Sequence, residues 1–220
     1  MSDASKSRVP RITLFIVALI AGASYWAASH LAFPADLMLA WKGAGVALLA
    51  IWAGLAARER NGWLIAAVLA LGALGDVLIE LNQVVGAAAF LVGHGIAMIL
   101  YLTNRRREGA SITIAIALLV PALAYAITRS PQVLVYAIGL GGMAGAAWAS
   151  RFPRSFVGLG ALLFAASDLL IFARLGALAG SIVPTLLIWP LYLIGQALIA
   201  WGVVRTLEAR KRNEDLHHRL

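Results

Sequence analysis

The chain has no cysteine among its 220 residues. That absence excludes a disulfide framework, a thiolate nucleophile and any cysteine-based metal site, and it leaves the redox compartment unread. Charge is scarce as well: 13% of residues are Asp, Glu, Lys or Arg against 62% hydrophobic ones, with a mean hydropathy of +0.87. No soluble core needs that much apolar surface, so composition alone predicts a polytopic membrane protein. Acidic residues are fewer than basic ones, 10 against 18, for a formal net charge of +8. In a soluble domain this excess would point to nucleic acid. Here the basic residues lie between apolar segments, so they act as topology signals and no nucleic-acid partner is expected. Phosphate-binding loops, H-E-x-x-H and G-x-S-x-G are all missing.

What is present is a succession of long apolar runs. Length, charge and Pro or Gly punctuation mark eight spans, at 11–29, 36–57, 62–80, 84–103, 111–128, 131–149, 154–173 and 181–205. The basic stretch from Met1 to Arg11 precedes a run longer than a signal-peptide core and without a cleavage site, so that run is taken as the first membrane helix. Alternating the connections between two sides puts Lys6, Arg8, Arg11, Arg58, Arg60, Arg105, Arg106, Arg107, Arg151, Arg154, Arg205, Arg210, Lys211, Arg212 and Arg219 on one side, fifteen residues, against Arg129 and Arg174 on the other. An odd number of spans would scramble this separation. The expected architecture is all-α with eight transmembrane helices, residues 1–205 forming one membrane domain and 206–220 a basic polar tail. By the positive-inside rule both termini are cytoplasmic, in what we expect to be a bacterial inner membrane.

Two acidic residues stand inside these runs: Asp76 in Gly-Ala-Leu-Gly-Asp-Val-Leu-Ile and Asp168 in Ala-Ala-Ser-Asp-Leu-Leu-Ile. A carboxylate at such depth costs roughly 2.5–3.5 kcal/mol on insertion scales, so it faces a protein interior or an aqueous cavity and marks a functional site by default. The matching settings raise a 4+4 parallel internal repeat, with two same-handed halves bringing the carboxylates toward one centre. Lys42 enters the second span by about two turns, His94 is near the middle of the fourth, and Tyr192 and Gln196 are near the middle of the eighth. Glu80, Asn82 and Gln83 are placed at the outer mouth. The polar side chains thus occupy the outer half and midplane, which predicts a cavity open to the non-cytoplasmic face or its leaflet. Gly141 and Gly145, with Gly86, Gly93 and Gly95, are assigned to helix packing.

Each of these residues also has a plainer reading. The aspartates could only hydrogen-bond between helices or pair with Lys42, Lys42 could snorkel to the interface, His94 could be a satisfied core histidine, and Gln196 could be interhelical glue. Four classes stay open on residues alone: a metal-free hydrolase, a small-solute or proton-coupled transporter using Asp, His and Lys as a relay, a divalent-metal hydrolase on Asp76, Asp168 and His94, and a purely structural or partner-binding membrane protein.

At these positions the chain resembles a known family. Lys42, Gly75-Asp76, Gly93-His94, Tyr136, Met143, Phe164, Ser167-Asp168, Tyr192 and Gln196, in this order from the second span to the eighth, are similar to the lysoplasmalogenase family of eight-helix membrane proteins, the YhhN-like proteins. Trp41-Lys42-Gly43 departs from the family pattern, which favours Pro after the Lys. The resemblance implies hydrolysis of the vinyl ether bond of a lysophospholipid substrate, releasing a fatty aldehyde and glycerophosphoethanolamine or glycerophosphocholine, with no metal and no cofactor. For such a reaction the residues themselves suggest catalytic roles for Asp76, Asp168 and His94, and substrate binding by Lys42, Glu80, Tyr192 and Gln196. Such an ether is cleaved by protonating its β-carbon, after which water captures the oxocarbenium ion and the hemiacetal collapses. Two carboxylates in different environments can divide the acid and base roles, as they do in glycoside hydrolysis.

Overall fold

The computed structural model describes residues 8–106 and 110–217, with side chains from Arg11 onward. Lys6, Arg107, Arg219 and Leu220, which enter the charge and topology argument, lie outside the described residues. Among the described residues, eight helices are long and apolar enough to cross a membrane. They are α1 (Arg8–Ala28), α2 (Ala35–Ala56), α3 (Arg60–Leu81), α4 (Gln83–Thr103), α5 (Ala110–Thr128), α6 (Pro131–Ala149), α7 (Leu159–Arg174, preceded by a π turn at Arg154–Gly158) and α8 (Ile182–His217). The chain is an integral all-α membrane protein, with boundaries close to those the hydropathy pattern predicts. The last helix, α8, continues 12 residues past the end of its span at 205, so the first part of the polar tail is helical and belongs to the same helix. The Arg11–Glu208 ion pair, at 3.0 Å, ties the start of α1 to this extension, so both lie at one end of the bundle.

Local chemistry accounts for the tight connections. A single residue, Asn82, separates α3 from α4, and its Oδ1 accepts from the backbone N–H of Val84 and Val85 at 3.0 and 3.1 Å, satisfying donors that a helix start leaves open. Just beyond, Gly86 lies on the backbone of Ile79, where an added Cβ would sit 2.5 Å from it, so the two helices leave the turn in close contact. Between α5 and α6, Arg129 turns the chain at φ 52°, and Ser130-Pro131 starts the next helix with the serine hydroxyl accepting from Val133 N–H.

Five helices close a ring. Going round, α3 packs on α4, α4 on α6, α6 on α7, α7 on α8, and α8 on α3. On one flank α1 and α2 cover the α3–α8 side, and α5 covers α6 and α7 on the other. Burial follows this plan: 56% of the α6 span is buried, but only 17% of the α1 and α5 spans, whose large apolar side chains such as Ile16, Ile20, Leu118 and Leu119 are exposed in the manner of lipid-facing residues. Without a hydrophobic drive between helices in lipid, small residues set the close approaches. Gly160 and Gly195 meet where α7 crosses α8, each placing its carbonyl 2.7 Å from where the other's Cβ would stand. Gly141 and Gly145 do the same against the α5 carbonyls of Ala117 and Thr113. Of the three α4 glycines assigned to packing, Gly86 and Gly93 face α3, but Gly95 has nothing within 4 Å, because it lies on the opposite side of the helix. The two halves of the chain also differ in packing: α3 lies along α2, while its counterpart α7 meets α6 only lightly and packs mainly on α8.

Candidate active site

The ring encloses a group of buried polar side chains, and the interior region around them is termed the chamber. Asp76, His94, Ser167, Asp168 and Gln196 are all buried, at 1–6% exposure, and they come from α3, α4, α7 and α8. Each carboxylate accepts a hydrogen bond from a tyrosine. On one side Tyr192 donates to Asp76 Oδ2 at 2.8 Å, and Gln196, one turn along α8, donates its amide N–H to the Tyr192 oxygen at 3.3 Å. On the other, Tyr136 of α6 donates to Asp168 Oδ2 at 2.6 Å and also meets His94 Nε2 at 3.3 Å. Because the Tyr136 hydrogen is committed to Asp168, His94 must donate from Nε2 to the Tyr136 oxygen. Two parallel relays result, Gln196 to Tyr192 to Asp76 and His94 to Tyr136 to Asp168.

Aromatic rings pack between the two relays. Phe164, one turn from Asp168 on α7, has its ring 5.3 Å from both the His94 and the Tyr192 rings and 6.1 Å from Phe90. Phe90 occupies the space that glycine leaves at Gly75, where a Cβ would stand 2.7 Å from the ring. Asp76 therefore sits in the only kind of helix surface that admits this ring beside it. Ser167 donates to the Ile188 carbonyl at 2.9 Å, and Trp189 Nε1 donates to the Gly22 carbonyl at 2.7 Å; together they fix α8, and with it Tyr192, against α7 and α1.

At one end the chamber is topped by charge. Glu80, one turn from Asp76 on α3, forms an ion pair with Lys42 of α2, the lysine being mostly buried and the glutamate about half exposed. Lys42 is therefore ion-paired with Glu80, while its charge also acts on Asp76. At the other end the chamber is shut. Phe152, fully buried, packs on Tyr101 with ring centroids 6.3 Å apart, and is held by Arg106, which donates to its carbonyl, and by the Arg210 guanidinium 5.6 Å from its ring. Arg210 also donates to Asn104 Oδ1 at 3.1 Å, so the extension of α8 clamps the closed end.

The structure thus brings Asp76, Tyr192 and Gln196 into one cluster and Asp168 and His94 into another, and leaves Lys42 and Glu80 together at the rim. Sequence reasoning did not assign site roles to Tyr136, Phe90, Phe164 or Tyr101. Tyr136 could have been found as the polar residue facing inward from α6, and Tyr101 as the residue two turns from His94 on the same face of α4. The sequence profile of the YhhN family matches residues 37–203, from the start of α2 through the buried part of α8. The chain belongs to the YhhN family. That family includes lysoplasmalogenases, and membership is consistent with a membrane hydrolase. The matched region contains both relays, the rim pair and Tyr101, Asn104, Arg106 and Phe152 of the closed end, but not the α8 extension with Arg210. No curated protein and no solved structure matches the chain.

Proposed function

We propose that this YhhN family member is an integral membrane hydrolase that cleaves the vinyl ether bond of lysoplasmalogens, releasing a fatty aldehyde and a glycerophospho-ethanolamine or glycerophosphocholine. The observation that carries the reading is the pair of buried carboxylates, each accepting a hydrogen bond from a tyrosine, inside one ring of helices. Protonation of the vinyl β-carbon consumes a proton from a carboxylic acid and leaves a carboxylate. Water then adds to the oxocarbenium carbon and gives its proton to the second carboxylate, and the hemiacetal collapses to aldehyde and alcohol. We assign Asp168 as the proton donor, because its relay ends in His94, which can carry a proton. Asp76 then serves as base and as negative charge near the cation, its relay ending in an amide that does not titrate. The Lys42–Glu80 pair at the rim is dipolar, and a zwitterionic or anionic headgroup can replace either partner of it. Both termini are assigned to the cytoplasm by the positive-inside rule, so the rim faces the opposite side.

A transporter would use the same polar residues, but its helices are typically broken near the midplane. Here α5 and α8 remain continuous through Pro121 and Pro190, and the arginine-rich end of the chamber is sealed by buried aromatic residues. Detergent-solubilised protein separates the two readings, since transport leaves no chemical product without a second compartment. We expect aldehyde from a lyso vinyl ether lipid, unaffected by ionophores or chelators, and none from the saturated alkyl ether analogue, which binds but has no double bond to protonate. Folded protein that cleaves nothing across a broad panel of lyso-ether lipids would contradict the proposal.

A further inference from the structure

Below the two relays, toward the closed end, lies a cavity of about 20 Å³ lined by Gly72, His94, Ala97, Tyr101, Met143 and Gln196 among others. It exceeds the roughly 10–15 Å³ that one water molecule requires. The terminal members of both relays, His94 and Gln196, line the same cavity. Tyr101 lines it too: this residue is 1% exposed, and its hydroxyl is fully buried with no hydrogen-bond partner among the described residues. A buried hydroxyl without a partner is costly, whereas a cavity of this size beside it, mostly apolar but with His94 and Gln196 in its wall, has room for a water that would supply one.

We infer that Tyr101, His94 and Gln196 hold a single internal water molecule that joins the two relays, and that Tyr101 is a positioning residue for it. The chemistry of the three groups is complementary. With His94 donating from Nε2 to Tyr136, its Nδ1 accepts; with Gln196 donating its amide N–H to Tyr192, its carbonyl oxygen accepts; and the Tyr101 hydroxyl donates. One water can donate to both acceptors and accept from the tyrosine, making the three bonds usual for a buried water. Its bond to Nδ1 would hold His94 in the tautomer that keeps Tyr136 pointed at Asp168. The same water would fix the Gln196 amide so that its N–H faces Tyr192 and, through it, Asp76.

The water site stands on the cavity and the unpartnered hydroxyl; its part in turnover rests on the hydrolase reading. Tyr101→Phe tests both, because it removes the hydroxyl and keeps the ring that packs on Phe152. If the water is present, a structure of the wild type resolving ordered waters shows density within hydrogen-bond reach of Tyr101 Oη, and Tyr101→Phe loses it and melts at the same or a lower temperature. If no water is held, the wild-type cavity is without density and Tyr101→Phe melts higher, since an unpaired buried group has been deleted; that pair of results overturns the inference, whether or not the protein is a hydrolase. In vinyl ether hydrolysis we expect Tyr101→Phe to lower kcat about ten-fold with KM unchanged, as lost alignment acts on the reacting groups and not on lipid binding. An unchanged kcat would overturn the positioning role. Wild-type protein inactive on every vinyl ether would instead remove the hydrolase reading and leave the density and melting results to decide the water site.

Discussion

The Asp76 and Asp168 relays have the same first link and different second ones. Tyrosine hydroxyls donate to both carboxylates, but behind Tyr192 stands Gln196 and behind Tyr136 stands His94. An amide can only orient its neighbour, while an imidazole can orient it and also exchange a proton. Asp76 is also one helical turn from the charged rim, and Asp168 has no ionic group comparably placed on its own helix. The two carboxylates are alike in burial and unlike in what supports them. This is the asymmetry that an acid and a base in one chamber require, and it supports the assignment of Asp168 to proton donation and Asp76 to charge stabilisation.

The widest break in the comparison comes from removing either carboxylate. Asp76→Asn and Asp168→Asn should each fold, since an amide of the same shape can still accept from its tyrosine, and each should lose turnover by a factor of roughly 10²–10⁴. Aldehyde release by the purified variants measures this, and wild-type turnover in one of them would take that residue out of the mechanism. The second links should differ from each other. His94→Gln keeps a donor for Tyr136 but cannot carry a proton, so we expect turnover to fall by roughly 10²-fold, with loss of one limb of a bell-shaped pH profile. Gln196→Leu should cost less and leave both limbs, because it removes alignment alone. Equal losses with equal profiles would erase the distinction between the relays. The smallest effect is expected at the rim, where Lys42→Met should raise KM for the lysolipid a few-fold and leave kcat unchanged, consistent with loss of uniform binding. A fall in kcat without a change in KM would move Lys42 from the rim into the chemistry.

The helices were legible in the sequence because crossing a membrane imposes length, apolar composition and charge separation at once. Asp76, Asp168 and His94 stood out for the same reason, as polar groups that lipid does not tolerate. Their partners were less legible. Tyr136 and Tyr101 are half-apolar side chains that belong in a membrane helix anyway, so burial next to a carboxylate or a cavity is visible only once helices from distant parts of the chain are placed side by side. Lys42 was legible as an intramembrane charge, but its partner was not, since the choice between Asp76 and Glu80 depends on how α2 lies against α3.

The central claim is that a buried acid protonates carbon, and solvent isotope labelling tests it most directly. Hydrolysis of a lyso vinyl ether lipid by the purified protein in D₂O should give aldehyde carrying one deuterium on the carbon next to the carbonyl, after correction for exchange of unlabelled aldehyde incubated alongside. Aldehyde released by the protein without deuterium at that carbon would contradict the account.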